Sequence, residues 1–93
     1  MNIKGYNKEG IIDFEIKEGN GKGKEYYNNG ELIFEGEYLN GERDGKGKEY
    51  NDNGKLKFEG EYLNGKRNGK GKEYDDGDLI FEGEYLNDER IIN

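Results

Sequence analysis

Nine of the twenty amino acids are absent from this 93-residue chain, which contains no alanine, valine, serine, threonine, histidine, cysteine, glutamine, tryptophan or proline. Without serine, threonine, histidine and cysteine, the chain has no Ser-His or Cys-His nucleophile system, so hydrolases of those classes are excluded. Zinc sites built on histidine or cysteine are excluded for the same reason. We therefore expect no enzyme activity, no catalytic residues, no metal site and no cofactor.

Apolar residues are also scarce, at 29% of the chain, whereas charged residues make up 40%. This composition alone is typical of disorder, but the eight tyrosines and four phenylalanines recur at regular places, as a folded repeat requires. No apolar run approaches the roughly 20 residues of a membrane-spanning helix, and the N-terminus lacks the apolar stretch of a signal peptide. We therefore expect a cytoplasmic protein.

A unit of 24 residues beginning with Gly-Lys-Gly-Lys occurs three times with few changes, and its last copy is shortened in one turn. Residues 1–20 repeat the spacing of its tyrosine, glycine and phenylalanine at Tyr6, Gly10 and Phe14, which is typical of a degenerate terminal repeat. The chain is thus predicted to be one domain made of an N-terminal cap, three units and a C-terminal end: residues 1–20, 21–44, 45–68, 69–90 and 91–93.

Each unit is predicted to form two antiparallel strands. Along the segment from Leu56 to Leu63, alternate residues share one face, which is the period of a strand with one covered face. Asn-Gly pairs, which favour tight hairpin turns, separate the strands within a unit at Asn53-Gly54 and between units at Asn64-Gly65. The predicted fold class is all-β, an elongated antiparallel meander of β-hairpin repeats forming a single-layer twisted sheet of about eight strands.

Glycines inside the predicted strands need a structural reason, because glycine weakens a strand. Gly47, Gly60 and their equivalents recur beside aromatic residues in every unit. We expect phenylalanine and tyrosine rings to lie over the bare backbone of these glycines and to form most of the core.

The combination of GKGKEY, NG and FEGEYLNGKRNGKG resembles the MORN repeat family. The segment from Tyr26 to Leu32, followed by Glu35 and Gly36, is similar to the bacterial variant of that repeat, and the resemblance covers about residues 21–87. It implies an elongated sheet of hairpins that acts in scaffolding, dimerisation or partner binding rather than in catalysis. The resemblance also points to lipid binding, which has been proposed for some members of the family, and to bacterial antitoxins or immunity proteins, since variant repeats occur in proteins described in those terms.

Two sets of residues are candidate interfaces. The first is an aromatic face that a single-layer sheet would expose to a protein partner or to a second copy of the chain, and its alternative is burial of the rings by curvature and glycine packing: Phe34, Tyr38, Phe58, Tyr62, Phe81 and Tyr85. The second is an acidic set near the C-terminus, whose Asp-rich part is alternatively a solvated turn: Asp75, Asp76, Asp78, Glu82 and Glu84.

Three lysine pairs are predicted to form a ladder across the sheet, at positions 22 and 24, 46 and 48, and 70 and 72. Such a ladder could dock a row of phosphates, but each lysine could instead pair across its hairpin with Glu35, Glu37 or an equivalent glutamate. The net charge of −7 favours the second interpretation and a partner with a basic surface. We expect no direct binding of nucleic acid, and membrane lipid remains a minor alternative.

Two functions follow from these features. The first is a non-enzymatic protein-protein interaction or scaffold module. The alternative is a small acidic inhibitor or immunity-type protein whose carboxylates occupy a basic, nucleic-acid-binding surface of its target, with residues 69–93 and their net charge of −5 as the contact surface. In either case, a protein that reads a particular partner would carry its selectivity at the positions that differ between units, which include Ile33, Lys57 and Ile80. The alternative is that these differences are drift on a solvated face.

Overall fold

The computed structural model describes residues 2–6, 10–17 and 20–92, with side chains described from residue 21 onward. In this part of the chain, nine strands and no helix are present, and the strands follow one another in sequence order in one open antiparallel sheet. The predicted all-β meander is confirmed, and the side chains of the N-terminal cap lie outside the described residues. The strands are β1 (Asn2–Tyr6), β2 (Gly10–Lys17), β3 (Asn20–Tyr27), β4 (Leu32–Leu39), β5 (Glu42–Tyr50), β6 (Leu56–Leu63), β7 (Lys66–Asp75), β8 (Asp78–Leu86) and β9 (Glu89–Ile91).

The turns between units are the tight turns that the Asn-Gly pairs predict. Asn64 and Gly65 have φ angles of 51° and 85°, so both central residues are left-handed, as a two-residue hairpin turn of this type requires. The turns within the first two full units are different, because only the glycine of Asn53-Gly54 has a positive φ. There the loop is longer, and the amide of Gly54 donates to the carbonyl of Asn51 at 3.0 Å.

The last two turns explain the irregular end of the third unit. Asp76 and Gly77 have φ angles of 51° and 90°, so a two-residue turn replaces the longer loop and the unit is shorter. Asp88 stands where the earlier units have glycine and still adopts a positive φ of 73°. Its carboxylate accepts a hydrogen bond from the amide of Arg67 at 2.9 Å, which helps to hold an aspartate in this conformation.

A row of directly paired glycines crosses the sheet from β3 to β8, and we call it the glycine row: Gly23, Gly36, Gly47, Gly60, Gly71 and Gly83. A Cβ atom built on Gly47 would lie 2.4 Å from Cζ of Phe34, and one built on Gly71 would lie 2.6 Å from the same atom of Phe58. Real Cβ atoms do not approach other atoms so closely. The prediction that rings lie over bare glycine backbone is therefore confirmed.

The phenylalanine and tyrosine rings form one continuous core. Phe34 and Phe58 are 0% exposed, and each packs edge-to-face between two tyrosines. Phe58, for example, has its ring centroid 5.6 Å from that of Tyr62 and 5.1 Å from that of Tyr85. Edge-to-face pairs of this kind contribute about 0.5–1.5 kcal/mol beyond the burial of area.

Of the two alternatives for the aromatic face, this packing favours burial of the rings within the chain. Tyr38, Tyr62 and Tyr85 are buried, like the two inner phenylalanines, so these rings are covered within the chain itself. Phe81, the sixth of these aromatic residues, is partly exposed. The sheet therefore does not expose the six rings together on one face.

Candidate functional site

A cluster of polar side chains seals the buried rings from solvent. The carboxylate of Glu49 accepts hydrogen bonds from the hydroxyl of Tyr62 and from Nε of Arg67, the latter at 2.9 Å. A second bond from Nη2 of Arg67, at 3.2 Å, makes the ion pair bidentate. The guanidinium carbon of Arg67 lies 4.1 Å above the ring of Phe58, so the cation covers the ring face.

The same cluster is built in each unit. In the preceding copy, Glu25 accepts from Tyr38 and from Arg43, and the guanidinium of Arg43 lies 4.2 Å above Phe34. In the last copy, the corresponding residues are Glu73, Tyr85, Arg90 and Phe81, with the cation 4.7 Å above the ring. Sequence analysis missed these clusters, although one signal was present: a glutamate follows Gly-Lys-Gly-Lys in every unit and an arginine recurs after the turn.

Burial and charge shift the ionisation of these groups. Burial, together with the charge of Glu49, raises the pKa of the Tyr62 hydroxyl well above its ordinary value, so this tyrosine stays a neutral donor. Burial acts to raise the pKa of Glu49, but hydrogen bonds from Arg67 and Tyr62 outweigh it and leave that pKa lowered. Hydrogen bonds from Arg90 lower the pKa of Glu73 to about 2. Burial acts to raise this pKa, and a hydrogen bond from Tyr85 acts to lower it.

The pKa of Glu73 is directly testable by carboxyl NMR. We expect a titration midpoint of about 2 in the wild type and a midpoint raised towards the ordinary value of about 4.3 in Arg90→Ala, because the main donor is removed while Tyr85 and Arg67 remain. Because the folded-state pKa lies below the unfolded one, the stabilisation from this carboxylate is present above about pH 4.3 and is lost as the pH falls towards 2. An unshifted wild-type midpoint would contradict the arginine-carboxylate geometry.

The opposite face of the sheet carries a groove with a volume of about 1320 Å³. Its floor is the backbone of the glycine row. A Cβ atom on these glycines would point towards the rings, so the side chains of the residues before and after each glycine point into the groove. Its walls are two lines of alternating lysine and glutamate. The paired wall residues are Lys22 and Glu37, Lys24 and Glu35, Lys46 and Glu61, Lys48 and Glu59, Lys70 and Glu84, and Lys72 and Glu82.

This register confirms that each lysine of the predicted ladder stands opposite a glutamate across its hairpin. The pair of Lys72 and Glu82 is within ion-pair range, with 3.9 Å between Nζ and Oε2. Both side chains are well exposed, so the contact contributes little to stability. The wall charges are therefore presented to solvent as a pattern of alternating sign.

Several wall glutamates are held in place by further hydrogen bonds. The carboxylate of Glu61 accepts from the backbone amide of Lys70 at 2.7 Å, and that of Glu59 accepts from the hydroxyl of Tyr74 at 2.7 Å. Glu37 and Glu35 repeat these two contacts one unit earlier, at 2.8 Å each. The negative charges of the groove are thus fixed before any partner binds, which lowers the entropic cost of binding.

The groove walls carry six lysines and six glutamates, so their formal charges cancel. A membrane surface attracts protein chiefly through clusters of basic residues, and this arrangement lacks an excess of them. We expect the chain not to co-sediment with phosphatidylserine vesicles at about 0.15 M salt, where electrostatic interactions are screened beyond roughly 8 Å. Binding that grows as the salt concentration is lowered and that is lost in Lys22→Ala and Lys24→Ala variants would contradict this expectation.

The acidic residues expected near the C-terminus fall in two places. Asp75, Asp76 and Asp78 form an exposed turn, where the carboxylate of Asp76 pairs with the ammonium of Lys55 in the preceding unit. Glu82 and Glu84 lie on the walls of the groove. Within the described part of the chain, no group of three or more potential metal ligands is gathered at one place.

One set of the positions that vary between units coincides with irregularities of the sheet. In each hairpin the register shifts by one residue next to the tyrosine of GKGKEY, which leaves an unpaired bulge residue on the second strand. These bulge residues are Ile33, Lys57 and Ile80. Ile33 is buried whereas Ile80 is 54% exposed, so the three equivalents differ in environment as well as in chemistry.

Two family models match the chain. The model described as MORN repeat variant matches residues 19–40 and 43–64, and the model described as MORN repeat matches residues 58–79. No curated protein and no solved structure matches the chain. Among the described residues, no helix is long and apolar enough to cross a membrane. The matched segments contain most of the groove walls and both inner phenylalanine rings.

Proposed function

The chain belongs to the MORN repeat family, and from this premise we propose that it is a non-enzymatic interaction module that holds a segment of a protein partner in its groove. The observation that carries the proposal is the groove itself. It is preformed, no side chain projects from its backbone floor, and its walls carry ordered charges. The rings on the other face stabilise the sheet instead of contacting the partner.

The charge pattern of the walls defines the chemistry of the partner. Neighbouring strands lie about 4.8 Å apart, so the sign alternates at that step and like charges recur about every 10 Å along each wall. A uniformly acidic or basic partner would meet as many like charges as opposite ones. An α-helix rises about 10.5 Å in seven residues, so a helix with opposite charges on successive turns matches this spacing.

Site-specific photo-crosslinking tests where the partner binds. A photoreactive residue at Lys48 lies on the groove wall, and the same residue at Asn29 lies in an exposed turn outside the groove. We expect a protein adduct from position 48 and none from position 29 when the two variants are irradiated in cell lysate. Equal adducts from both positions, or none from position 48, would overturn the proposal.

A charge swap tests whether the pattern itself is recognised. The variant Lys70→Glu with Glu84→Lys preserves the net charge and the cross-strand pair but reverses the order of signs on one wall. We expect the adduct formed by position 48 to decrease strongly in this background, while the unfolding midpoint stays within experimental error. An unchanged adduct would mean that the groove does not recognise the alternation of charge.

A second candidate function, that of an acidic inhibitor, is favoured by the crowding of exposed carboxylates near the C-terminus. In addition to the acidic turn and the two wall glutamates, Asp88 and Glu89 are exposed there. An inhibitor that mimics phosphates should lose its target at about 0.5 M salt, because screening weakens exposed charge contacts. It should also compete with nucleic acid for that target, whereas a partner seated in the groove should not be displaced by nucleic acid.

A further inference from the structure

Phe81, the last phenylalanine of the core, has only half of the glycine and tyrosine contacts that the inner phenylalanines make. In the two inner units each phenylalanine ring lies over one glycine on its own strand and a second glycine on the next strand, namely Gly36 and Gly47 for Phe34, and Gly60 and Gly71 for Phe58. Phe81 lies over Gly83 on its own strand, and no second glycine lies beside it among the described residues. Among the described residues its ring packs edge-to-face against one tyrosine, Tyr85, instead of two, and it is partly exposed, whereas the inner rings are fully buried.

The edge of the sheet beside Phe81 is open. β9 pairs with Glu84, Tyr85 and Leu86, so the outer edge of β8 from Asp78 to Gly83 has no strand partner within the described residues. Two apolar side chains on this stretch are exposed, Leu79 by 51% and Ile80 by 54%. An edge with unpaired amides and carbonyls next to exposed apolar surface is the usual site of strand addition.

The chain itself shows which kind of strand fits this edge. The β6 strand carries the same Phe-Glu-Gly-Glu-Tyr-Leu sequence as β8, and its outer edge pairs with β7. In that pairing Gly71 faces Gly60, Lys72 faces Glu59 and Glu73 faces Phe58, and β4 pairs with β5 in the same way. The complement of this edge is therefore a strand that begins Gly-Lys-Gly-Lys-Glu.

We propose that the outer edge of β8 is a strand-addition site for an extended segment with the pattern Gly-Lys-Gly-Lys-Glu. Its second glycine faces Gly83 and lies under Phe81, and the lysine that follows faces Glu82. The exposed carboxylates of Asp78, Glu82 and Glu84 make this end of the sheet acidic, which complements the lysines of such a segment. This site shares Glu82, Gly83 and Glu84 with the end of the groove, but it does not depend on the binding of a partner along the groove.

Glycine is the selective feature of the added strand. In the inner units a Cβ atom at the corresponding position would lie within 2.4–2.6 Å of the phenylalanine ring. Backbone hydrogen bonds to β8 supply affinity for any extended segment, whereas the ring admits only a residue without a side chain. Arg90 and Ile91 of β9 already pair with Tyr85 and Glu84, so the free part of the edge begins at Gly83 and takes the segment from its second glycine onward.

The test uses a capped synthetic peptide with the sequence of residues 69–75, GKGKEYD, titrated into the full chain and followed by amide NMR. We expect saturable binding, with shifts confined to the β8 and β9 strands and the largest changes between Leu79 and Gly83. A control peptide with Gly71→Ala has the same charge and should bind at least tenfold more weakly, because its methyl group meets the ring. Equal affinity of the two peptides, or no binding of either, overturns the proposal.

Variants of the full chain supply the second control. Glu82→Lys removes the carboxylate that the peptide lysine faces, and we expect about fivefold weaker binding. Glu31→Lys changes the net charge equally but lies in the first described hairpin turn, so it should leave binding unchanged. Equal effects of both variants would mean that the peptide responds to the net charge of the chain and not to Glu82, which would contradict the proposed site. A chain that already forms a dimer through β8 and is not dissociated by the peptide would assign this edge to a second copy and overturn the proposal.

Discussion

Replacing Gly47 by alanine is expected to destabilise the sheet by about 3 kcal/mol. The added methyl carbon would lie 2.4 Å from Cζ of Phe34 and 3.0 Å from Cε1 of Tyr62. The ring of Phe34 is 0% exposed, and Arg43 lies 4.2 Å above its face, so the ring has no space into which it can move. Because Gly47 does not have a left-handed φ, the expected loss comes from the steric clash and not from backbone strain.

A matched substitution isolates the effect of the ring. Gly30→Ala introduces the same methyl group at a turn where nothing lies within 4 Å of the new atom. Its φ of 89° is unfavourable for alanine and costs about 1–2 kcal/mol. Urea unfolding followed by circular dichroism should therefore show a clearly larger loss of unfolding free energy for Gly47→Ala than for Gly30→Ala. Equal losses would mean that the ring does not fill the space above Gly47.

Replacing Arg67 by alanine is expected to cost about 3 kcal/mol of unfolding free energy. The substitution leaves the carboxylate of Glu49, whose side chain is 12% exposed, without its bidentate partner. It also uncovers the ring of Phe58, over which the guanidinium lies at 4.1 Å. The lost charge pair and the newly exposed ring both favour the unfolded state.

The last unit offers a matched control for this prediction. Arg90 makes the same bidentate contact to Glu73 and covers Phe81, but its side chain is 37% exposed at the end of the sheet. We expect Arg90→Ala to cause a much smaller loss than Arg67→Ala in the same urea experiment, because solvent screens the exposed pair. Equal losses of unfolding free energy in the two variants would mean that burial does not determine how much the inner cluster stabilises the sheet.

The sequence was informative about the architecture because its signals are local and repeated. Asn-Gly turns, period-2 alternation and glycines beside aromatics all recur at one spacing, so the meander and the packing of rings over glycines could be predicted. The same dipeptide did not predict every turn: Asn40-Gly41 is a two-residue turn, whereas Asn29-Gly30 lies in a longer loop. The difference depends on the length of the loop and on the strand register beside it, which a dipeptide does not specify.

The charged clusters could not be predicted because they depend on which side chains meet across three successive strands. Glu49, Tyr62 and Arg67 lie on three successive strands, and their contact requires the sheet to bring side chains 18 residues apart in sequence over one ring. A period-2 pattern places a glutamate on a face but does not show that an arginine two strands away covers that face. For this reason the sequence left exposure and burial of the rings as alternatives, and the groove on the other side was not recognised from the lysine pairs alone.

The packing of the rings on bare glycine backbone can be measured directly from the proton chemical shifts of the glycine Hα atoms. A proton above an aromatic ring face is shifted upfield, so the account predicts strongly upfield Hα signals for Gly47 and Gly71 and ordinary shifts for Gly30, which has no ring near it. The upfield shift of Gly47 should disappear in Phe34→Leu. Ordinary Hα shifts at Gly47 and Gly71 in the folded wild-type protein would contradict the account.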